Sequence, residues 1–397
     1  MSPRKRLAFR ATALSLSGCL LSALVVQGAD SPVAESMRRI FGSMQLLLPL
    51  SVDPDQFRDP AQAEAIRAAL ARVSDSAASV VEHAGSGDQG ARFLGRSLEQ
   101  EARRTARQFD RREYDSAQFS ILLMTEYCVE CHSRARLPAD SPISRGFVAP
   151  ERFAQLGPEE RARLQFATRQ FDAGLDTLER LLATPQVEPR TLLGAITNYL
   201  VVSIRVKLDL VRPAAALRTF AARPDLPTYL LPDVQRWVES LGSLSGRVDW
   251  SKPARLEDAL ALLSEARDVS RFRTDREALV QYIVASALLQ RVVERPDTDA
   301  DKAHAYYWLG LAELRMGRSY WLGLPEFFLE TAIRLDPGDE IALQAYALIE
   351  EDALRSYALG AHDQAELPLD VESRLAELRR QIDAARRAPE RPAVDPR

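Results

Sequence analysis

Five consecutive residues, about a third of the way along the chain, carry its clearest chemistry. Cys128, Val129, Glu130, Cys131 and His132 form the pattern C-x-x-C-H. The two thiols can add to the two vinyl groups on one edge of a porphyrin, and the adjoining imidazole can then bind the iron as its proximal ligand. The pattern is the attachment signature of a c-type haem. The sequence therefore predicts one covalent haem, with its iron bound by His132.

Other sites could use the same cysteines. A disulfide or a thioredoxin-like redox pair is one alternative, but that redox motif lies where a strand meets a helix, and residues 119–127 form a continuous helical pattern. A structural zinc site needs four nitrogen or sulfur ligands, and the other histidines are scattered: His83, His304 and His362. The sequence also lacks a Walker loop, a dinucleotide fingerprint and a His-Glu-x-x-His segment. Haem is thus the one cofactor that the sequence supports.

The first residues predict export. Basic residues precede an apolar run over residues 11–26, and the small residues Gly28 and Ala29 follow, as in a secretory signal peptide. We therefore expect residues 1–29 to be a signal peptide and the mature protein to be periplasmic. Cys19 also fits a lipoprotein box, in which it would be acylated, although apolar sequence continues after it. After cleavage following residue 28 or 29, the haem pair would be the remaining cysteines, which leaves no structural disulfide.

Composition restricts the other function classes. The chain has 397 residues, 46% of them hydrophobic and 27% charged, which predicts a globular protein of more than one domain. Its 52 basic and 56 acidic side chains give a formal net charge of −4. The chain therefore lacks the excess of basic charge that is typical of nucleic-acid-binding proteins, and no nucleic-acid partner is expected.

Helical periodicity dominates the chain before the motif. Apolar residues recur at helical spacing within residues 37–48, 66–80 and 94–109, which predicts three amphipathic helices. A fourth helix begins near Asp115 or Ser116 and continues into the motif. On it, Ile121, Met124 and His132 share one face with Cys128. We expect an all-α fold in which residues 30–137 form an antiparallel four-helix bundle that holds the haem against its interior.

A four-helix bundle with C-x-x-C-H near the end of its last helix resembles cytochrome c-prime and its low-spin relatives. The resemblance covers residues 33–137. It implies that an arginine four residues after the proximal histidine lies close to the haem, and Arg136 occupies that position. Ala135 replaces the aromatic residue that usually precedes this arginine, and Arg134 is an additional charge. A solvated helix end is the alternative role for these arginines, because cations there complement the helix dipole.

The same resemblance implies that the residue facing the other side of the iron comes from the first helix. That residue is apolar in gas-binding members and a methionine in low-spin members. Met37 and Met44 are seven residues apart on the apolar stripe of that helix, and Met44 aligns better. Ordinary core packing of both methionines, with no sixth ligand, remains the alternative. Met124 belongs to the proximal face, and His83 is a weaker candidate ligand.

The remaining residues predict a second helical domain. Residues 138–155 have no periodicity and are expected to form a linker. Within residues 156–386, windows around Gly174 and Gly310 resemble tetratricopeptide repeats, which implies a degenerate solenoid of helical hairpins. The tail, residues 387–397, is rich in proline and charge and is expected to be disordered.

These features lead to three functional hypotheses. The first is single-electron transfer in the periplasm, with the repeat domain docking a redox partner protein. The second is a gas-binding or sensing module with a five-coordinate haem, and the third is a scaffold of the cell envelope. No catalytic residues are expected, because no distal acid and base pair can be recognised. Membrane association is expected only through a lipid anchor, and the bundle offers a surface for a homodimer.

Overall fold

The computed structural model describes residues 31–84, 89–134, 140–149, 151–185, 192–272, 275–295, 299–317, 324–358 and 367–387. Over these residues the regular structure is helical, and no strand is present. The predicted all-α fold class is therefore confirmed. The predicted signal peptide with Cys19, the C-terminal tail after residue 387, and Arg136 lie outside the described residues.

In the described part of the chain, the motif lies in the fifth α-helix. The five helices are α1 (Pro32–Ser51), α2 (Pro54–Arg58), α3 (Ala63–His83), α4 (Gln89–Asp110) and α5 (Tyr114–Arg134).

Local sequence explains where these helices begin and end. The Ser31 hydroxyl accepts a hydrogen bond from the amide of Ala34 at 3.1 Å, which caps the start of α1, and proline occupies the first helical position. Between α4 and α5, Arg112 has a φ of 62°, and the amide of Glu113 donates to the carbonyl of Gln108 at 2.9 Å. This left-handed residue after a helix closes α4 and lets the chain reverse into α5.

The four long helices pack around one apolar interior. Helix α1 contacts α3 and α5, α3 contacts α4, and α4 contacts α5. Most of the apolar residues that periodicity assigned to these helices are buried, among them Met44, Leu70, Val73 and Ile121. The short helix α2 contributes Phe57, whose ring meets Phe109 edge to face at a centroid distance of 5.3 Å. The motif therefore lies at the end of a helix held on two sides by α1 and α4.

Eleven further α-helices follow among the described residues. They are α6 (Pro158–Ala167), α7 (Phe171–Ala183), α8 (Leu193–Val201), α9 (Val211–Ala221), α10 (Leu231–Ser245), α11 (Leu256–Val269), α12 (Leu279–Val293), α13 (Asp299–Met316), α14 (Leu324–Leu335), α15 (Glu340–Ala358) and α16 (Leu369–Arg387).

Consecutive helices in this part of the chain pack on one another. The contacting neighbours are α6 with α7, α9 with α10, and each successive pair of helices from α11 to α16. Two glycines allow close approach within them. A Cβ on Gly174 of α7 would lie 2.4 Å from the Phe166 ring, and a Cβ on Gly310 of α13 would lie 2.6 Å from Leu329 Cγ. These are the glycines of the two repeat-like windows.

Helices α1–α5 and helices α6–α16 share one hydrophobic core. Residues 140–149, within the predicted linker, form no α-helix, yet Phe147 and Val148 are buried. The ring of Phe147 meets Phe41 of α1 edge to face at 5.5 Å. Because apolar side chains of this segment enter the core, the segment is packed against the first set of helices.

No helix within the described ranges is long and apolar enough to cross a membrane.

Candidate functional site

Helix α5 places the two cysteines and the histidine of the motif at one cavity. Cys128, Cys131 and His132 all line a space of about 830 Å³ between the helices. Cavities of this size are typical of sites for small molecules and cofactors. Both thiols are partly accessible. Met124, one turn earlier on α5, is fully buried in the core and is not among the lining residues.

Burial controls the protonation of the first thiol. It raises the pKa of Cys128 to about 12, and the carboxylate of Glu126 adds to the effect. A thiol with so high a pKa is a poor nucleophile at neutral pH. This environment does not favour the alternative of a thiol-disulfide exchange pair, which requires a readily ionised cysteine.

His132 lies against the end of α6. Burial lowers the pKa of its imidazole to about 4, and the positive charge of Arg169 lowers it further, while the carbonyl groups of Ala167 and Phe166 oppose these effects. The Nδ1 atom is buried and makes no hydrogen bond. A neutral imidazole can bind a metal through one nitrogen and donate from the other to a backbone carbonyl, which fixes the ring. The neutral imidazole that a proximal metal ligand requires is therefore present.

Helix α1 brings both candidate methionines to the same cavity. Met37 and Met44 line it together with Phe41 and Leu48, and Met44 is almost completely buried. The expectation that they share the inward stripe of α1 is met, but the choice between them is left open. His83 also borders the cavity, at the exposed end of α3. Its Nδ1 atom lies 2.8 Å from the carbonyl of Ser79, so this nitrogen donates to that oxygen.

Two arginines that the resemblance does not imply lie at the cavity. Arg136 lies outside the described residues, and the structure places Arg38 of α1 and Arg169 at the cavity. Arg169 follows α6 with a φ of 57°, a left-handed conformation that closes that helix. Burial lowers the pKa of its guanidinium, an effect that the carboxylate of Asp140 opposes. These two arginines can bind anionic groups of an occupant.

Helix α12 completes the cavity with a residue that the sequence analysis missed. Gln290 is 5% exposed and lines the cavity with Val293 and with Tyr306 of α13. Its Nε2 atom is buried and has no hydrogen-bond partner in the described structure. A buried amide donor without a partner costs free energy unless an occupant accepts from it. Periodicity alone could show that α12 is buried, but not which cavity it faces.

Glu130, one of the two residues between the cysteines, does not face the cavity. Glu130 is fully buried, does not line the cavity, and lies 3.6 Å from the guanidinium of Arg205. Arg205 belongs to a π-helical segment, Val202–Val206, that directly follows α8. Helices after the motif therefore enclose it on two sides, with Gln290 at the cavity and Arg205 behind Glu130.

Comparison with known proteins identifies no relative: no family model, curated protein or solved structure matches this chain. In the described parts of the chain, no three His, Cys, Asp or Glu side chains converge on a site for a metal ion bound by protein alone.

Proposed function

We propose that this protein is an exported c-type cytochrome that binds one covalent haem and transfers single electrons in the bacterial periplasm. One observation carries the proposal: both thiols and the imidazole of a C-x-x-C-H motif line a single cofactor-sized cavity, which two methionine side chains also line. The haem would supply a one-electron couple at its iron.

Several residues of the chain would bind the haem. Cys128 and Cys131 would anchor it covalently, and His132 would bind the iron through its neutral imidazole, which lies against the carbonyl groups of Ala167 and Phe166. Met44 or Met37 would provide a sixth ligand. The site is walled by apolar residues of α1, α3 and α4, together with α12.

The packing supports the structural part of the proposal. Helices α1, α3, α4 and α5 contact one another in a ring, with the motif near the end of the last one, as expected for a four-helix bundle of the cytochrome c-prime type. Consecutive later helices pack on one another, with glycines at the two close crossings in the repeat-like windows. We assign them to a degenerate tetratricopeptide-like region, whose role is to dock a redox partner protein.

A gas-binding module is the second candidate. The observation that favours it is the apolar surface that Phe41, Leu48 and Leu94 present to the cavity beside the methionines. If no methionine binds the iron, the same cavity can admit nitric oxide or carbon monoxide. The scaffold hypothesis needs no cavity, so this observation does not support it.

Optical spectra of the exported protein, ferric and ferrous, with and without carbon monoxide, test the two candidates. The proposed carrier gives a low-spin spectrum that is indifferent to carbon monoxide and has the weak sulfur-to-iron band of a methionine ligand. A high-spin spectrum that shifts with the gas would support the gas-binding module. A protein without haem absorbance would contradict both.

A further inference from the structure

Helix α12 turns a polar face towards the C-x-x-C-H motif. Almost every residue of this helix is buried, and the polar residues Ser286 and Gln290 lie one turn apart on it. The hydroxyl of Ser286 accepts hydrogen bonds from Nε and Nη2 of Arg205 at 3.0 and 2.7 Å. The guanidinium of Arg205 also lies 3.6 Å from the carboxylate of Glu130 in the motif and 2.6 Å from that of Glu313 on α13. This cluster of buried polar groups fixes the Ser286 face of α12 on the motif side.

Gln290 lies on that same face, where the helix reaches the cavity. It borders the cavity together with Val293 and Glu294, three and four residues later, so one side of α12 forms this wall. Gln290 is 5% exposed, and its Nε2 atom is buried with no hydrogen-bond partner among the described residues. A buried amide donor costs free energy unless it finds an acceptor. An acceptor on the occupant of the cavity therefore accounts for a glutamine at this position.

The chemistry of a haem limits what that acceptor is. The edge of a haem is apolar except for its two propionate carboxylates, and these are present whatever the oxidation state of the iron and whatever ligand it binds. An amide that donates to a carboxylate makes a charge-assisted hydrogen bond, which is stronger than a neutral one. The positively charged side chains of Arg38 and Arg169 line the same cavity, which fits an occupant that carries negative charge.

We propose that Gln290 binds the haem directly, by donating a hydrogen bond from Nε2 to a propionate carboxylate. The helices after the bundle then complete the haem site, in addition to any part in docking a partner. The inference rests on the proposed function, since it needs a haem at Cys128 and Cys131.

Resonance Raman spectroscopy of the haem-loaded protein tests the contact, because the bending mode of a haem propionate responds to the hydrogen bonds that the carboxylate accepts. We expect Gln290→Leu to shift this band from its wild-type position, with the haem still covalently attached. Gln281→Leu is the matched control: Gln281 lies on the same helix, donates to the hydroxyl of Ser240 at 3.0 Å, and does not line the cavity. The control keeps the wild-type band.

Denaturant unfolding gives a second, independent measurement. With haem attached, Gln290→Leu loses a hydrogen bond, so its unfolding midpoint falls. In a haem-free Cys128→Ala/Cys131→Ala background the same substitution removes an amide without an acceptor, so the midpoint does not fall. Gln281→Leu shifts the midpoint equally in both backgrounds. If the haem-free background does not fold, the Raman comparison decides, and if Gln290→Leu does not fold, Gln290→Met matches the length of the glutamine and carries the same expectation.

Haem staining after denaturing electrophoresis separates the two levels of failure. If the wild type has no covalent haem, the proposed function fails and the inference fails with it. If haem is present and Gln290→Leu has the same propionate band as the control, Gln290 is a packing residue and the inference alone is overturned. A change confined to the stretching frequency of bound carbon monoxide would place the amide beside the iron, and this result would overturn the inference as well.

Discussion

The ring of Phe93 on α4 stacks on the ring of Phe327 on α14, with the centroids 4.4 Å apart and the planes 13° from parallel. Phe93 precedes Leu94, which lines the cavity, so this pair connects the cavity wall to helices from the far end of the chain. Together with the packing of Phe147 on Phe41, it makes the helices before and after the motif parts of one core.

Truncation of this stack should weaken the whole fold. We expect Phe93→Ala to lower the free energy of unfolding by about 2–3 kcal/mol, because a large aromatic contact is lost at a partly buried site. Denaturant unfolding measures the change. Phe119→Ala is the control, because this phenylalanine is 66% exposed on α5, and its effect should stay below about 0.5 kcal/mol. Equal effects of the two variants would contradict the role of the stack.

Substitution of glycine by alanine should change the stability of the protein in opposite directions at close helix crossings and at an open helix surface. Gly174→Ala and Gly310→Ala should each destabilise the protein by about 1–3 kcal/mol, because the new methyl groups overlap Phe166 and Leu329. Gly242→Ala on α10 is the control, since nothing lies within 4 Å of its Cβ position. There the higher helix propensity of alanine should stabilise the protein by up to about 1 kcal/mol. Thermal or denaturant unfolding of the three variants would show whether the signs differ.

Leucine substitutions can identify the sixth ligand. We expect Met44→Leu to abolish the sulfur-to-iron band and convert the haem to a form that binds carbon monoxide, because leucine has no donor atom. Met37→Leu should leave the spectrum unchanged if Met44 is the ligand. Met124→Leu is the matched control, as Met124 is equally buried but lies outside the cavity lining. Loss of the band in Met37→Leu alone would reverse the assignment, and retention in both variants would exclude both methionines.

Glu326 on α14 predicts a pH dependence of stability. Burial raises the pKa of this carboxyl above its ordinary value, and its Oε2 atom is buried without a hydrogen bond. The folded protein therefore binds this proton more tightly than the unfolded chain. The carboxyl favours folding at pH values below its unfolded pKa, and this contribution is lost as the pH rises through the raised folded pKa.

Glu326→Gln should remove that dependence. Across this pH window we expect its free energy of unfolding to decrease less than that of the wild type, and at neutral pH the variant should be the more stable protein. Glu151→Gln, a substitution of an exposed carboxyl, should follow the wild-type profile. Superimposable profiles for Glu326→Gln and the wild type would contradict the argument.

Local patterns predicted the helices, because helix formation depends on residues near one another in sequence. The apolar stripe through Met37 and Met44 correctly indicated which face of α1 turns inward. The cluster around Arg205 could not be found this way, since Arg205 and Glu313 are 108 residues apart and an isolated arginine in sequence resembles a surface residue. Gln290 could not be predicted for the same reason. That its Nε2 atom lacks a hydrogen-bond partner depends on how α12 packs against the cavity.

Attachment of haem to Cys128 and Cys131 is the central claim, and the intact mass of the exported protein tests it most directly. We predict that the denatured wild-type chain, and equally a Cys19→Ala control, carries the added mass of one haem and stains for haem after denaturing electrophoresis. The double variant Cys128→Ala/Cys131→Ala should have the mass of the polypeptide alone and no stain. A wild-type chain without added mass, or a double variant that still stains, would contradict the account.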